Sequence, residues 1–415
     1  MLNHSISLEG YKSAGVSKKQ LISFEDASKL IAMNAEPLGS EWISLERADG
    51  RILAKPVMAR RTSPSVLLSA MDGYAVRDSD IADMPASLEI AGKSFAGNGF
   101  GKGLPPRACV RVFTGAPVPN GAERVVMQED VCTDGAFAVF SHPPAKTRHL
   151  RFPGSDFSKG DVIAEAGRLL TPQRLVGIAA SGNANLEVFR QPSVAILCCG
   201  DELVEPGLAT FTPDGIPESI SYGVAALVRR WGGTIADRHR LPDDLSRLQD
   251  AAHTAAAIAD VVVVIGGASV GERDFAKQAF AALGLDPLFT KVAIKPGKPV
   301  WFGRMGRTYV VGLPGNPTSA LVTARLFLAP LLAGLSGGRA DDALDWQMTP
   351  AATAIAGCND RDLFIRATMA CGCAMPLSDQ DSAGQKALAD ATLLIWQGRG
   401  TSPVGANTPI KTLIL

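Results

Sequence analysis

From residue 192 to residue 336 the chain alternates short, almost wholly apolar runs with amphipathic stretches, and this rhythm restricts the fold more than any other feature. Val261-Val262-Val263-Val264-Ile265 is the plainest run, five β-branched residues with no polar face, closed by Gly266-Gly267. A strand that is apolar on both faces must be covered on both, so strands of this kind separated by helices read as a doubly wound, mostly parallel α/β sheet. The pattern predicts further strands over 194–199, 234–241 and 309–313, with helices over 221–231, 243–259, 274–283 and 318–332. Gly232-Gly233 and Gly284 serve as helix stops, and Asp243-Asp244 place acids in a first turn. Ligands of such sheets sit beyond the carboxyl ends of the strands, so the residues following each strand become the candidates for function.

The flanking sequence has a different texture. Residues 59–144 are rich in turn signals (Asp72-Gly73, Gly97-Asn98-Gly99, Asn120-Gly121, Asp134-Gly135) with short β-prone pieces between them, which predicts a small β module. Residues 23–35 read as a helix started at Ser23, 44–48 as a helical turn, and 171–180 as a helix with Pro172 at its first position. Short β-prone runs over 363–368 and 392–396 predict a C-terminal β domain, barrel-like in character. The expected division is therefore 1–58 with 145–191 as an N-terminal and linker domain, 59–144 as the β module, 192–336 as the α/β domain and 337–415 as the C-terminal domain.

Charge and cysteine usage narrow the function classes. The 41 basic and 41 acidic side chains cancel, which argues against a broad surface for nucleic acid or acidic membrane. The first 19 residues lack the apolar core of a secretory signal, and the greasiest stretch, 320–335, is broken by Thr323 and Arg325 and falls short of the ~18–20 residues of a spanning helix. Seven scattered cysteines form no disulfide framework, Cys371-x-Cys373 lacks zinc spacing, and no His-x-x-x-His pair occurs. A reduced, cytoplasmic protein is expected. His142 and His149 are read as surface or structural residues.

Four features at the expected strand ends carry chemistry. Gly266-Gly267-Ala268-Ser269-Val270-Gly271 can turn its amides around an anion, although it lacks the spacing of a dinucleotide fingerprint. Leu313-Pro314-Gly315-Asn316-Pro317 offers a second loop, with Asn316 capping a helix whose free amides face the cleft. Lys295-Pro296-Gly297-Lys298-Pro299 resembles a stiff anion clamp. Acids mark the same edge: Glu202, Asp243, Asp244 and Asp274. Carboxylates beside a phosphate site repel the ligand unless a hard cation bridges them, so the edge predicts a Mg2+-dependent site for a phosphorylated small molecule. Asp72-Gly73 and Gly115 read only as turns, and nothing recruits Cys198 or Cys199 as a nucleophile.

Taken in order, Ser69–Arg77, Thr114–Gly121, Gly200-Asp201-Glu202-Leu203, the 266–271 loop with Asp274, Lys295–Pro299 and Leu313–Pro317 resemble the motif set of the molybdopterin molybdenumtransferase family, which includes bacterial MoeA and the C-terminal region of gephyrin. The resemblance runs from about Ser23 to the C-terminus and is densest in the α/β domain. It implies insertion of molybdate into adenylylated molybdopterin with release of AMP, Mg2+ dependence, a homodimer whose site joins the α/β domain of one subunit to the β module of the other, and hand-over of product to molybdoenzymes or their chaperones. By motif, Asp72, Thr114, Glu202, Asp243 and Asp274 correspond to functional residues, with Glu202, Asp243 and Asp274 as the metal ligands. Gly266, Gly267, Ser269, Gly271, Lys295, Lys298, Pro314, Gly315, Asn316 and Ser319 would hold pterin phosphate, adenylate or molybdate. The chain departs from the pattern at Leu68, where the family carries Asn, at Glu218-Ser219-Ile220 in place of Asp-Ser/Thr-Asn, and at Cys198-Cys199 in place of Ser/Thr-Thr. The C-terminal domain matches least, with Gln380-Asp381-Ser382 its clearest echo. These changes keep a second expectation open, a non-catalytic paralogue that binds or delivers the pterin cofactor.

Overall fold

A computed structural model describes residues 21–266 and 275–415. The chain divides into two compact units. Among the described residues, the larger contains those up to Glu41, Gly50–Ala54 and those from Val188 to Leu415, and the smaller contains Trp42–Asp49 and Lys55–Glu187.

In the larger unit, six strands order as Thr234–Leu241, Ser193–Cys199, Val261–Ile265, Thr308–Leu313, Trp301–Met305 and Asp286–Phe289. The first four run parallel. Trp301–Met305 is antiparallel to both of its neighbours. The sheet is thus mostly parallel, as the apolar runs required. The hairpin strand Trp301–Met305 lay outside the expectation because Gly303 and Arg304 interrupt its apolar pattern.

The two faces follow a period of two. Val194, Ile196, Val261, Val263, Ile265 and Val311 face one core, together with Val224 and Val228 of helix Ile220–Arg230 and the long helix that begins at Pro317. Ala195, Leu197, Val262, Val264 and Val310 face the other, covered by Leu248, Ala252 and Ala255 of helix Leu245–Ile258 and by Phe280. Side chains alternate across a strand, so both faces of a continuous valine run become core.

Helix Phe24–Asn34 starts at Ser23, whose side chain accepts the Asp26 N–H, and it buries Phe24 in the first core. Pro317–Leu335 is helical throughout, with a π-turn at Ala324–Leu328. Contrary to the length expectation, these 19 residues, mean hydropathy 1.6, are long and apolar enough to cross a membrane. Because 89% of that window is packed inside the protein, it is a core helix. The C-terminal strands form a second sheet, ordered Ile294–Lys295, Asp362–Ala370, Leu393–Gln397, Pro409–Ile414 and Gln347–Pro350, with Cys373–Pro376 paired to Asp362–Ala370. The lysine segment is therefore an edge strand of this sheet, with Lys295 opposite Leu363.

The smaller unit contains the β module. Its sheet orders Arg124–Met127, Gly73–Val76, Ala108–Val112, Ala86–Ser94, Phe137–Phe140 and Val131–Asp134. Tyr74 and Val76 face one core and Ala75 the other, so this small sheet is also buried on both sides. All seven cysteines of the chain are free.

Candidate functional site

Strand register brings the candidate segments to one rim. Cys199 lies opposite Leu241, Cys198 opposite Ile265, and Ile265 opposite Leu313. The residues that follow must emerge together, and they are tied across: Gly200 N–H donates to Leu241 O (3.1 Å), Gly266 N–H to Leu313 O (3.2 Å), and Asp243 N–H to Asp201 Oδ1 (3.0 Å). Gly266 has φ +86°, and a Cβ there would lie 2.6 Å from Cys199 O. That position therefore excludes a side chain on two independent grounds. A methyl on Gly315 would lie 3.6 Å from Gly266 Cα, so the two glycine loops touch.

A cavity of about 900 Å³ opens at this rim. Its walls include Glu202, Asp243, Gly266, Pro314, Gly315 and Asn316, all of them candidates from sequence, together with Cys198 and Cys199. A second cavity, about 600 Å³, carries Lys295, Lys298, Ser319, Arg361, Asp381 and Ser382, and the two share Pro299. The lysine clamp and the acid pair thus occupy adjoining cavities. Gly267, Ser269, Gly271 and Asp274 lie outside the described residues.

The proposed metal set can be weighed on its donors. Glu202 and Asp243 bring hard carboxylate oxygens to one wall. Burial, aided by the charge of Asp243, pushes the Cys199 thiol up to about 12, and burial likewise raises Cys198, so neither offers a thiolate at neutral pH. Hard oxygen donors fit Mg2+, which commonly takes one or two carboxylates and completes its shell with water and substrate phosphate. Among the described residues no group of three or more His, Cys, Asp or Glu is assembled for a metal.

Two expectations need correction. Asn316 stands at the cap position of helix Pro317–Thr323, yet its side chain does not cap the helix. It donates instead to Ser382 Oγ (2.9 Å), and the Thr318 N–H is taken by Ser382 O (3.1 Å), so that amide is not left for a ligand. Gly73 is no turn: it is the first residue of strand Gly73–Val76, and a Cβ there would sit 2.1 Å from Val126 O. Backbone proximity explains the Asp-Gly pair.

In the smaller unit, Asp72 Oδ1 accepts both the Thr114 N–H (2.7 Å) and the Thr114 hydroxyl (2.9 Å). The backbone bond first, then the hydroxyl, holds the Asp72 carboxyl below its ordinary value, with the charge of Arg111 assisting. Thr114 is exposed and Asp72 is half-buried, so the pair is a preformed anionic group at the surface.

The departures from the family pattern also find partners. Glu218 is buried and accepts from the Ser221 N–H (2.8 Å) and the Ser221 hydroxyl, which satisfies a first-turn amide of helix Ile220–Arg230. Ile220 joins the first core and also lines the larger cavity, placing an apolar side chain where the resemblance implied Asn. Arg361, Ser382 and Glu218 were not legible as cavity residues, because strand pairing and loop placement bring them there.

Residues 22–182 match the MoeA N-terminal region (domain I and II), and residues 195–334 match a probable molybdopterin-binding domain. A molybdopterin molybdenumtransferase of Haemophilus influenzae is 40% identical over 80% of this chain and 80% of its own length. The chain belongs to the molybdopterin molybdenumtransferase family. A relative of that name from Nostoc is 35% identical over 72% of the chain and 70% of its own length. Molybdopterin molybdenumtransferase 2 of Mycobacterium tuberculosis is 35% identical over 75% and 78%. A crystal structure of a molybdopterin biosynthesis MoeA protein from Pyrococcus horikoshii superposes with a TM-score of 0.81 at 25% identity, covering 95% of this chain and 100% of that one. This molybdopterin molybdenumtransferase family member acts in molybdenum cofactor biosynthesis.

Proposed function

We propose that the chain inserts molybdate into adenylylated molybdopterin and releases AMP, with Mg2+ held at Glu202 and Asp243 and, by motif, Asp274. The observation that carries this reading is the pair of adjoining cavities, one walled by carboxylates and glycine loops, the other by Lys295, Lys298 and Arg361. The first suits a pterin phosphate linked to adenylate: Gly266 and Gly315 give the backbone close approach. The second suits a compact dianion, because two ammonium groups and a guanidinium outweigh the Asp381 carboxylate on the same wall while Ser319 and Ser382 offer hydroxyl donors. Two anionic reactants repel each other in solution, so holding them in neighbouring sites of opposite design contributes much of the catalysis. Mg2+ bound at the carboxylates would neutralise charge that develops on the departing phosphate. No protein nucleophile is needed, in keeping with the protonated state of Cys198 and Cys199.

The Asp72–Thr114 pair stands on the smaller unit. We assign it to the cavity of a second subunit in a homodimer that operates in the cytoplasm and hands its product to molybdoenzymes or their chaperones. The test is reconstitution of an apo molybdoenzyme from adenylylated molybdopterin, Mg2+ and low molybdate, with AMP release followed in parallel. The expected result is release that depends on both ions. Tight pterin binding with no AMP release would refute the transferase reading and leave a binding or delivery protein.

A further inference from the structure

One loop forms a wall of both cavities. Gln380, Asp381 and Ser382 line the cationic cavity, while Ala383 and Gln385 line the acid-walled one. The loop folds on itself through local turns: Asp381 N–H donates to Asp379 Oδ1 (2.8 Å), Ala383 N–H to Asp381 Oδ1 (2.9 Å), and Gly384 N–H to Asp381 O (3.1 Å). These bonds shape the loop without attaching it to the α/β domain.

Arg366 adds a buried attachment to the two bonds from the Pro317 helix already described, Asn316 to Ser382 Oγ and the Thr318 N–H to Ser382 O. It is 1% exposed, and its guanidinium donates to the carbonyls of Asp379 (3.1 Å), Asp381 (2.9 Å) and Gly384 (3.2 Å) and to Thr318 Oγ1 (2.9 Å). Three acceptors belong to the loop and the fourth to the helix that starts at Pro317. All four are neutral. A buried guanidinium is costly to desolvate and is retained where its donors are satisfied in a fork that no other side chain reproduces. Lysine has three donors on one centre and cannot reach four acceptors spread along a loop and a helix.

We propose that Arg366 is a positioning residue for the transfer reaction, pinning residues 379–384 to the Pro317 helix so that one loop keeps the pterin cavity and the anion cavity separate and in register. The inference rests on the two-cavity reading above and extends it to a residue that touches neither ligand. Gln380 is held by the main chain of residue 366 and by Leu377 O whatever the side chain at 366, so loosening the loop moves Ser382 relative to Lys295 and Lys298, and molybdate capture suffers before the chemical step does.

Full-length Arg366→Lys and Thr318→Val are compared with the parent. Thr318→Val removes the fourth acceptor, together with the long bond from the Thr318 hydroxyl to Gly384 O (3.5 Å), while leaving the main-chain bond from Thr318 to Ser382 intact. Hydrogen–deuterium exchange of peptides covering 379–385, equilibrium dialysis with molybdate, and half-saturation against turnover are measured, with thermal midpoints alongside. For Arg366→Lys we expect exchange in the loop to quicken about tenfold with the 193–199 and 261–265 strands unchanged, half-saturation for molybdate to rise about tenfold, and saturated turnover to stay within about threefold. Thr318→Val gives the same pattern, weaker. Exchange that rises equally in loop and strands, or unaltered molybdate half-saturation in either folded variant, overturns the proposal. If Arg366→Lys does not fold, Thr318→Val decides alone. If the parent binds no molybdate, the cavity assignment has failed, and the exchange data still decide whether Arg366 pins the loop.

Discussion

Gly266→Ala isolates what the rim demands of its backbone. The new Cβ faces Cys199 O at 2.6 Å, and the residue sits at φ +86°. The left-handed conformation alone costs an alanine about 1–2 kcal/mol. The clash adds about 1–3 kcal/mol, because the obstruction is a carbonyl on a neighbouring strand rather than a side chain that can swing aside. Gly284 supplies the control: its φ is +85° and nothing lies within 4 Å of its added Cβ, so Gly284→Ala carries the first cost without the second. The two variants should therefore differ by the clash, about 1–3 kcal/mol. At about 2 °C per kcal/mol for a unit of this size, the thermal midpoint of Gly266→Ala should fall about 2–6 °C below that of Gly284→Ala. Relief of the clash must part the ends of strands Ser193–Cys199 and Val261–Ile265, which carry the cavity wall. Pterin affinity should then fall in Gly266→Ala and hold in Gly284→Ala. Scanning calorimetry and ligand titration measure both quantities. Equal midpoints for the two variants, or a destabilised Gly266→Ala with undiminished pterin binding, would refute the reasoning.

Other expectations follow from the same geometry. A dianion about 4 Å from one ammonium in a watery site gains about 2 kcal/mol, so Lys298→Met or Lys295→Met should raise the half-saturating molybdate concentration about 30-fold with little change in thermal midpoint; an unchanged value would remove the clamp from the mechanism. Because Thr114 holds the Asp72 carboxyl below its ordinary value, Asp72 keeps its charge further into acid. Thr114→Val deletes the hydroxyl bond but not the backbone bond, so if Asp72 acts as an anion the acid limb of the pH–rate profile should shift to higher pH, short of the full distance. A shift to lower pH would contradict this. Brief alkylation of the native protein should label the exposed Cys132 and Cys371 and spare Cys109, Cys198 and Cys199, whose thiols burial holds protonated. Mass spectrometry reads the sites, and early labelling of Cys199 would show that the cavity wall opens.

Much of the secondary structure was legible because its signals are local. Five β-branched residues in a row at 261–265 admit few structures other than a buried strand, Ser23 caps the helix that follows it, and Pro172 opens its own. The side-chain period, the capping bond and the fixed φ of proline each act within a few residues, so sequence order alone reveals them. The strand-end rule likewise pointed to Glu202, Asp243, Gly266 and Gly315, and all four line one cavity. Sequence could not foresee that Asn316 would turn from its helix to Ser382, that Gly73 is excluded from bearing a side chain by Val126, or that Arg361 and Arg366 would meet the lysine clamp and the Pro317 helix. Those outcomes depend on which strands pair and in what register, since pairing Ile294–Lys295 with Asp362–Ala370 brings residues more than sixty positions apart to one wall. Local pattern determined the pieces and the chemistry they can offer. Long-range pairing decided which pieces face each other, because the free energy of those contacts exists only once distant segments are already in place.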